Sequence, residues 1–260
     1  MTSQQKEIGW KHDLPKLDKA SEPSKYINQA YPPPDHIDTV YIEFPRSTLK
    51  IRGLAIIGFG IALLLLSANL IRTLTDDWFW RDLERAFFIT AFSLLAYFLI
   101  TPYIRIDIEL PRNEPIRFNR ARKKVYFYQY RYDRLNPLGR KNWGIKPVAY
   151  NWDNITAEVY RLGYGGDRHE SIRLSIHDPI TDKIIDRVYF SGNIEEGKKC
   201  WEVVQLFMQK GPEALPEFIY AANDWSKEPS NPFERIAPKV QWPIEMDLES
   251  RTAPSPGEHP

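Results

Sequence analysis

Three features of this chain have residue types suited to chemistry, and none has the spacing that the chemistry needs. His169-Glu170 opens like a zinc-protease motif, but no second histidine stands four positions after the first. His177 then leaves an isolated pair, short of the ligand count a metal requires. Gly163-Tyr164-Gly165-Gly166 lacks the lysine and the strand-to-helix setting of a phosphate loop; lying between strand patterns, it reads as a hairpin turn. Cys200, the single cysteine, falls on the apolar stripe of a helix, where a thiol packs as a small core residue. No serine sits in a nucleophile elbow. The expectation is a protein that is not an enzyme and holds no metal and no cofactor.

Two groups of residues have binding chemistry instead. Arg117, Arg120, Arg122, Lys123 and Lys124, continued by Arg131, Arg134, Arg140 and Lys141, form a basic run in which each cation near a bilayer would contribute about 1 kcal/mol toward anionic lipid headgroups. The competing reading of the same run is a topology signal alone, and both stay open. Trp78, Trp80 and Trp143 are candidate protein contacts, since exposed aromatic rings anchor interfaces. Trp78 to Trp80 also suit anchoring at headgroup depth. Nucleic acid is not an expected partner, because a formal charge of +1 leaves no broad basic face.

These groups are positioned by two uncharged apolar runs, Gly53 to Ile71 and Ala86 to Ile104, each close to the roughly 20 residues that cross a hydrocarbon core. Joined by a short loop, they read as a transmembrane hairpin within residues 46–105. Arg46, Lys50 and Arg52 precede it, and from Arg105 to Lys146 there are twelve Lys and Arg against four Asp and Glu. That excess places both termini in the cytoplasm. Gly58 and Ala62 are expected to pack against the second span of the same chain. Ser67, Asn69, Thr90 and Ser93 are too mild to form an ion path, which excludes transport.

Residues 1–45 form a polar, proline-containing arm, with Trp10, Tyr26 and Tyr31 available to drape it over the main domain and a short strand from Thr39 to Phe44. Residues 105–222 form the folded cytoplasmic part. Alternation predicts strands over Ile104 to Leu110, Ile116 to Asn119, Lys124 to Tyr132, Val148 to Trp152, Ile155 to Leu162, Ser171 to His177 and Ile184 to Phe190. A helix starts at the capping pair Asn193 and Glu196 and stops at Gly211-Pro212. Residues 223–260 are a Pro-rich tail that excludes regular helix over most of its length, with Trp225, Phe233, Trp242 and Ile244 to dock part of it and a disordered end. The expected fold is a membrane α-hairpin plus an α+β cytoplasmic domain, an antiparallel sheet or barrel of about seven strands with a C-terminal helix. That order resembles a pleckstrin-homology-like (PH-like) domain.

Pro115 to Tyr128, PIRFNRARKKVYFY, resembles an uncharacterised, DUF6708-like family of bacterial two-span membrane proteins associated with type VI secretion loci. The likeness lies in Ile116, Arg117, Phe118, Asn119 and Arg120, then Lys124, Val125 and Tyr126, with the hairpin before them and Trp152 after. It implies a multi-pass protein of the bacterial inner membrane acting as an immunity or accessory protein, with membrane lipids and a type VI effector or its spike protein as partners. A lipid-binding or scaffolding module is the alternative. The resemblance supplies no catalytic residues.

Overall fold

The computed structural model describes residues 8–17, 24–46, 51–75, 82–162, 169–224, 227–255 and 257. Alternate residues of a strand face opposite ways, so Ile116 and Phe118 on β4 (Ile116–Asn119) share one face, and Val125 and Phe127 share the same face of β5 (Lys124–Phe127). The antiparallel register sets Ile116 opposite Phe127 and Phe118 opposite Val125. With β2 (His36–Ile37), β3 (Tyr41–Phe44) and β8 (Val148–Asn151) they make a sheet in the order β2-β3-β4-β5-β8.

A second antiparallel sheet runs β1-β9-β10-β11, from β1 (Trp10–Asp13), β9 (Ile155–Leu162), β10 (His169–His177) and β11 (Ile184–Ser191). The two sheets share one core with α3 (Ile194–Lys210). The Asn193 side chain accepts a bond from the Glu196 N–H at 3.2 Å to start α3, and Gly211, at φ 96°, ends it. Between those ends Cys200, Val203, Val204 and Phe207 recur at helical spacing and are buried against Phe118, Val125, Ile172 and Leu174. Each large apolar side chain so enclosed contributes about 1.5–3 kcal/mol.

The single sheet or barrel of about seven strands is thus replaced by two sheets and a small ribbon, β6 (Tyr130–Arg131) with β7 (Gly144–Ile145). No closed barrel forms among the described residues. The amino-terminal arm also belongs to the fold: β1 pairs with β9, and a helical turn at Ile27–Gln29 buries Ile27 in the core that α3 shares.

Helices α1 (Leu54–Thr75) and α2 (Leu83–Glu109) are long and apolar enough to cross a membrane. They are not core helices of this chain, since 0% and 11% of their most apolar windows are buried. They join through Tyr97, whose hydroxyl lies against that of Ser67. Gly58 and Ala62 do not serve that contact: both are exposed, and a side chain built at Gly58 would meet nothing within 4 Å.

Residues Ile104 to Leu110, expected as a strand, instead form the last turns of α2, which ends at Glu109 with Leu110 as its C-cap. A period of two over seven residues also contains the helical pairs Ile104/Ile108 and Ile106/Leu110. Tertiary contacts decide for the helix. Ile106 and Leu110 pack with Tyr130 and Trp143, and the Asp107 carboxylate accepts from the Gly53 N–H at 2.8 Å and the Ile56 N–H at 3.1 Å. Those are unpaired donors at the start of α1, which a carboxylate satisfies well.

The hairpin is inserted between β3 and β4, which are hydrogen-bonded neighbours. Two buried arginines brace its foot. Arg46, where the chain leaves β3, donates to the carbonyls of Glu114 (3.2 Å), Tyr189 (2.8 Å) and Tyr128 (3.1 Å) and lies 3.6 Å from the Glu114 carboxylate. Arg52 donates to the carbonyls of Asp107 at 2.7 Å and Pro111 at 3.0 Å. Both cations that were read as topology signals are therefore also structural.

The tail reaches the same place. Short helix α4 (Pro232–Arg235) sets Phe233 against Gly53, where any side chain would collide with the ring. A longer helix, α5 (Ile244–Arg251), then lies on the outward face of β4 and β5. Helix is limited to these 4 and 8 residues, so most of the described tail is non-helical as its prolines imply, and part of the end expected to be disordered lies outside the described residues.

Candidate functional site

Because Ile116 and Phe118 face the core, Arg117 and Asn119 must face outward, yet β4 is buried along its whole length. The cover is α5. The Arg117 guanidinium pairs with Glu43 of β3 and, at 2.6 Å, with Asp247 of α5. It also donates to Ser250 Oγ at 2.8 Å and stacks 4.6 Å from the Trp242 ring. The Asn119 amide donates to the carbonyls of Ser250 at 3.0 Å and Thr252 at 3.1 Å. Arg122 reaches the carbonyls of Thr252 at 3.0 Å and Ala253 at 3.2 Å. A helix ends with unpaired carbonyls and partial negative charge, so an amide and a cation are suitable partners there. Lys124 completes the clamp on Glu249 at 2.7 Å.

The basic hairpin is accordingly a receptor for the protein's own tail. Of the five candidate headgroup contacts, Arg117 and Arg122 are buried and Lys124 is half-buried against Glu249, while Arg120 and Lys123 are exposed. Trp143 is corrected as well: it is buried on Tyr130 and Leu110, its indole N–H donates to the Asn136 carbonyl at 2.8 Å, and Arg105 covers its ring at 4.2 Å. It cannot offer the exposed face expected of it. Trp78 and Trp80 lie outside the described residues, as do Trp225 and the glycine cluster at 163–166.

Beside the clamp, β3, the start of β4 and the tail enclose a cleft of about 290 Å³. Arg112, Arg117, Lys239 and Arg251 line it with Glu43 and Trp242. Lys239 and Arg251 are exposed at its mouth. Such a cleft can hold an anionic group by charge and by stacking.

A family model described as a family of unknown function, DUF6708, matches residues 92–254. The chain belongs to the DUF6708 family. No curated protein and no solved structure gives a match. The DUF6708 match begins within α2 and runs through β4 to β11 and α3 to the last residues that Arg122 holds, so the clamp residues of β4 and β5 and the tail they hold lie inside the family region, while Glu43 lies before it. Helix α1 and strands β1 to β3 lie before it.

The other reactive residues of this DUF6708 protein are built into the fold. Cys200 is buried, its Sγ 3.7 Å from the carbonyls of Tyr31 and Pro32, and burial pushes its pKa up to about 12. His177 bonds Thr156 Oγ1 at 2.9 Å near the Asp182 carboxylate. His169 begins the strand that His177 ends, eight residues and about 26 Å away. Among the described residues no three His, Cys, Asp or Glu side chains gather as a metal site.

Sequence reasoning missed Asp247, Glu249 and Ser250 as partners of the basic hairpin. The available signal was charge: α5 carries Glu245, Asp247 and Glu249. The bond from Lys124 holds the Glu249 carboxyl below its usual pKa of 4.5. A depressed folded-state value means that this contribution is present above the unfolded value and disappears as pH falls through the folded one. The melting-temperature gap between the parent and Glu249→Gln should therefore be open at neutral pH and close at an acid pH below the folded-state value. A gap that stays constant down to that pH would remove Glu249 from the docking energy.

Proposed function

We propose that this protein is a non-enzymatic protein of the bacterial inner membrane, with both termini cytoplasmic, that acts as an immunity or accessory protein for a type VI secretion effector. The observation that carries the reading is the placement of two exposed apolar helices between adjacent strands of a folded domain. A domain so interrupted is held at the bilayer by two closely braced connections rather than by a loose linker. An immunity or accessory role needs a surface at the membrane and no catalytic group. The type VI association itself comes from the likeness at Pro115 to Tyr128. A PH-like domain carrying the hairpin in its first loop is part of the proposal, supported by the succession β3, β4, β5, β8, β9, β10 and β11 before α3 once β1, β2, β6 and β7 are set aside.

The test is co-expression of the neighbouring effector in a sensitive host with and without this protein. Protection supports the immunity reading, and unchanged killing removes it.

A membrane-anchored PH-like module for lipid binding or scaffolding is the second reading, favoured by the basic cleft, whose Arg112 follows the end of α2 by three residues. The full chain in detergent should then gain thermal stability from added phosphatidylglycerol, and Lys239→Glu with Arg251→Glu should abolish the gain. Equal stabilisation of variant and parent counts against it.

A further inference from the structure

The segment from Tyr132 to Asn142 joins β6 to β7 and exposes two leucines almost completely, Leu135 at 88% and Leu138 at 81%. Their exposure is not for want of local structure. The Asp133 carboxylate accepts from the Leu135 N–H at 3.1 Å and the Asn142 amide at 3.0 Å. Tight turns bond Asn136 N–H to the Asp133 carbonyl and Gly139 N–H to the Asn136 carbonyl. Exposed leucines alone mean little, and two held outward on one ordered loop mark a contact only where their surroundings supply a cover.

The loop's position supplies one. Arg105 is the first charged residue after the uncharged run of α2, and its guanidinium donates to the carbonyls of Pro137 at 2.9 Å and Gly139 at 2.5 Å. Leu138 then lines a groove with Leu63 of α1, with Thr101, Ile104, Ile108 and Glu109 of α2, and with Arg140, at the level of Arg105. Arg134 lies 5.6 Å from the Tyr103 ring and 5.3 Å from that of Tyr132. Arg134, Arg140 and Lys141 are all exposed. Leucines level with the last turns of an apolar helix, ringed by arginine, lysine and tyrosine, have the composition of a headgroup-depth contact.

We infer that the loop from Tyr132 to Asn142 is a membrane-insertion loop, in which Leu135 and Leu138 enter the cytoplasmic leaflet beside the hairpin while Arg134, Arg140 and Lys141 contact anionic headgroups. The inference rests on the hairpin spanning the bilayer, and it is independent of the type VI role. It gives the domain a third attachment, and hence a fixed tilt against the lipid surface rather than a swivel about the two chain crossings.

The test uses the full chain in vesicles of phosphatidylcholine and phosphatidylglycerol, with an environment-sensitive fluorophore on Leu138→Cys. Buried, protonated Cys200 does not compete for the label. Controls carry the label at Phe92→Cys, on an exposed position of α2, and at Ile180→Cys, on the exposed turn after β10. The label at 138 should be blue-shifted and quenched by headgroup-region nitroxide lipids, that at 92 by mid-chain nitroxides, and that at 180 by neither. Replacing phosphatidylglycerol with phosphatidylcholine should lower the quenching at 138 by about twofold or more, as loss of the headgroup charge predicts. A label at 138 that behaves like 180 while 92 is quenched overturns the insertion loop and leaves the hairpin standing. An unquenched 92 overturns both, and quenching at 138 that ignores lipid charge overturns the role given to the three cations.

Discussion

Arg46→Met is expected to lower the unfolding free energy by about 3–5 kcal/mol, the usual cost of removing one partner from a buried ion pair. Arg46 is 6% exposed, and its guanidinium is bonded to three carbonyls with the Glu114 carboxylate 3.6 Å away. Burial pulls its pKa down and the Glu114 carboxylate pulls it back up, and an arginine in such surroundings keeps its charge. Methionine fills similar space but donates nothing. The three carbonyls lose a donor, and Glu114 keeps the Tyr130 N–H at 3.1 Å without its opposing charge. Adding Glu114→Gln removes the stranded charge, so the double variant should be more stable than Arg46→Met alone. Denaturant unfolding in detergent micelles measures both. A loss under about 1 kcal/mol would mean that water reaches the pair, as it does at surface ion pairs.

Arg117→Ala is expected to free the tail, at a cost on the order of 3 kcal/mol for stranding the Glu43 carboxylate near a closed sheet face. Glu43 would lose its cation, Asp247 would keep only Arg251 at 3.1 Å, and Trp242 would lose the cation stacked at 4.6 Å. The expected signature is local. Hydrogen exchange over α5 should accelerate while α3 and β10 stay protected, because α5 touches the core sheet only from outside. Glu43→Gln in the Arg117→Ala background should recover part of the loss. If α5 keeps its protection in Arg117→Ala, then Asn119, Arg122 and Lys124 suffice to hold it.

The strands were legible where a residue's neighbours in sequence are also what decides its environment. Ile116/Phe118, Val125/Phe127 and Ile172/Leu174 alternate because one face of each strand is core. The cap at Asn193 and the stop at Gly211 were readable for the same reason. Ile104 to Leu110 defeated the pattern because alternating isoleucines satisfy a strand and two helical pairs at once, and contacts from Gly53, Tyr130 and Trp143 chose between them. The basic hairpin was visible as charge, but its partner was not, since Asp247 lies 130 residues from Arg117. Trp143 looked like a surface anchor until Arg105 and Leu110 covered it. The leucines at 135 and 138 drew no notice in the sequence, because exposure is a property of the loop's turns.

Inserting the hairpin between β3 and β4 also fixes the order in which the protein can be made. Phe44 and Ile116 pair across the sheet, so after β3 leaves the ribosome 72 further residues must follow, on the order of 4–14 s at ordinary elongation rates. On the proposed spanning role of the hairpin, two greasy segments reach the insertion machinery during that interval while one edge of β3 waits for its mate. The sheet can close only after both have emerged, so in that proposal translocon engagement precedes domain completion, and a delay at the first step should leave an open-edged intermediate for chaperones or proteases to find.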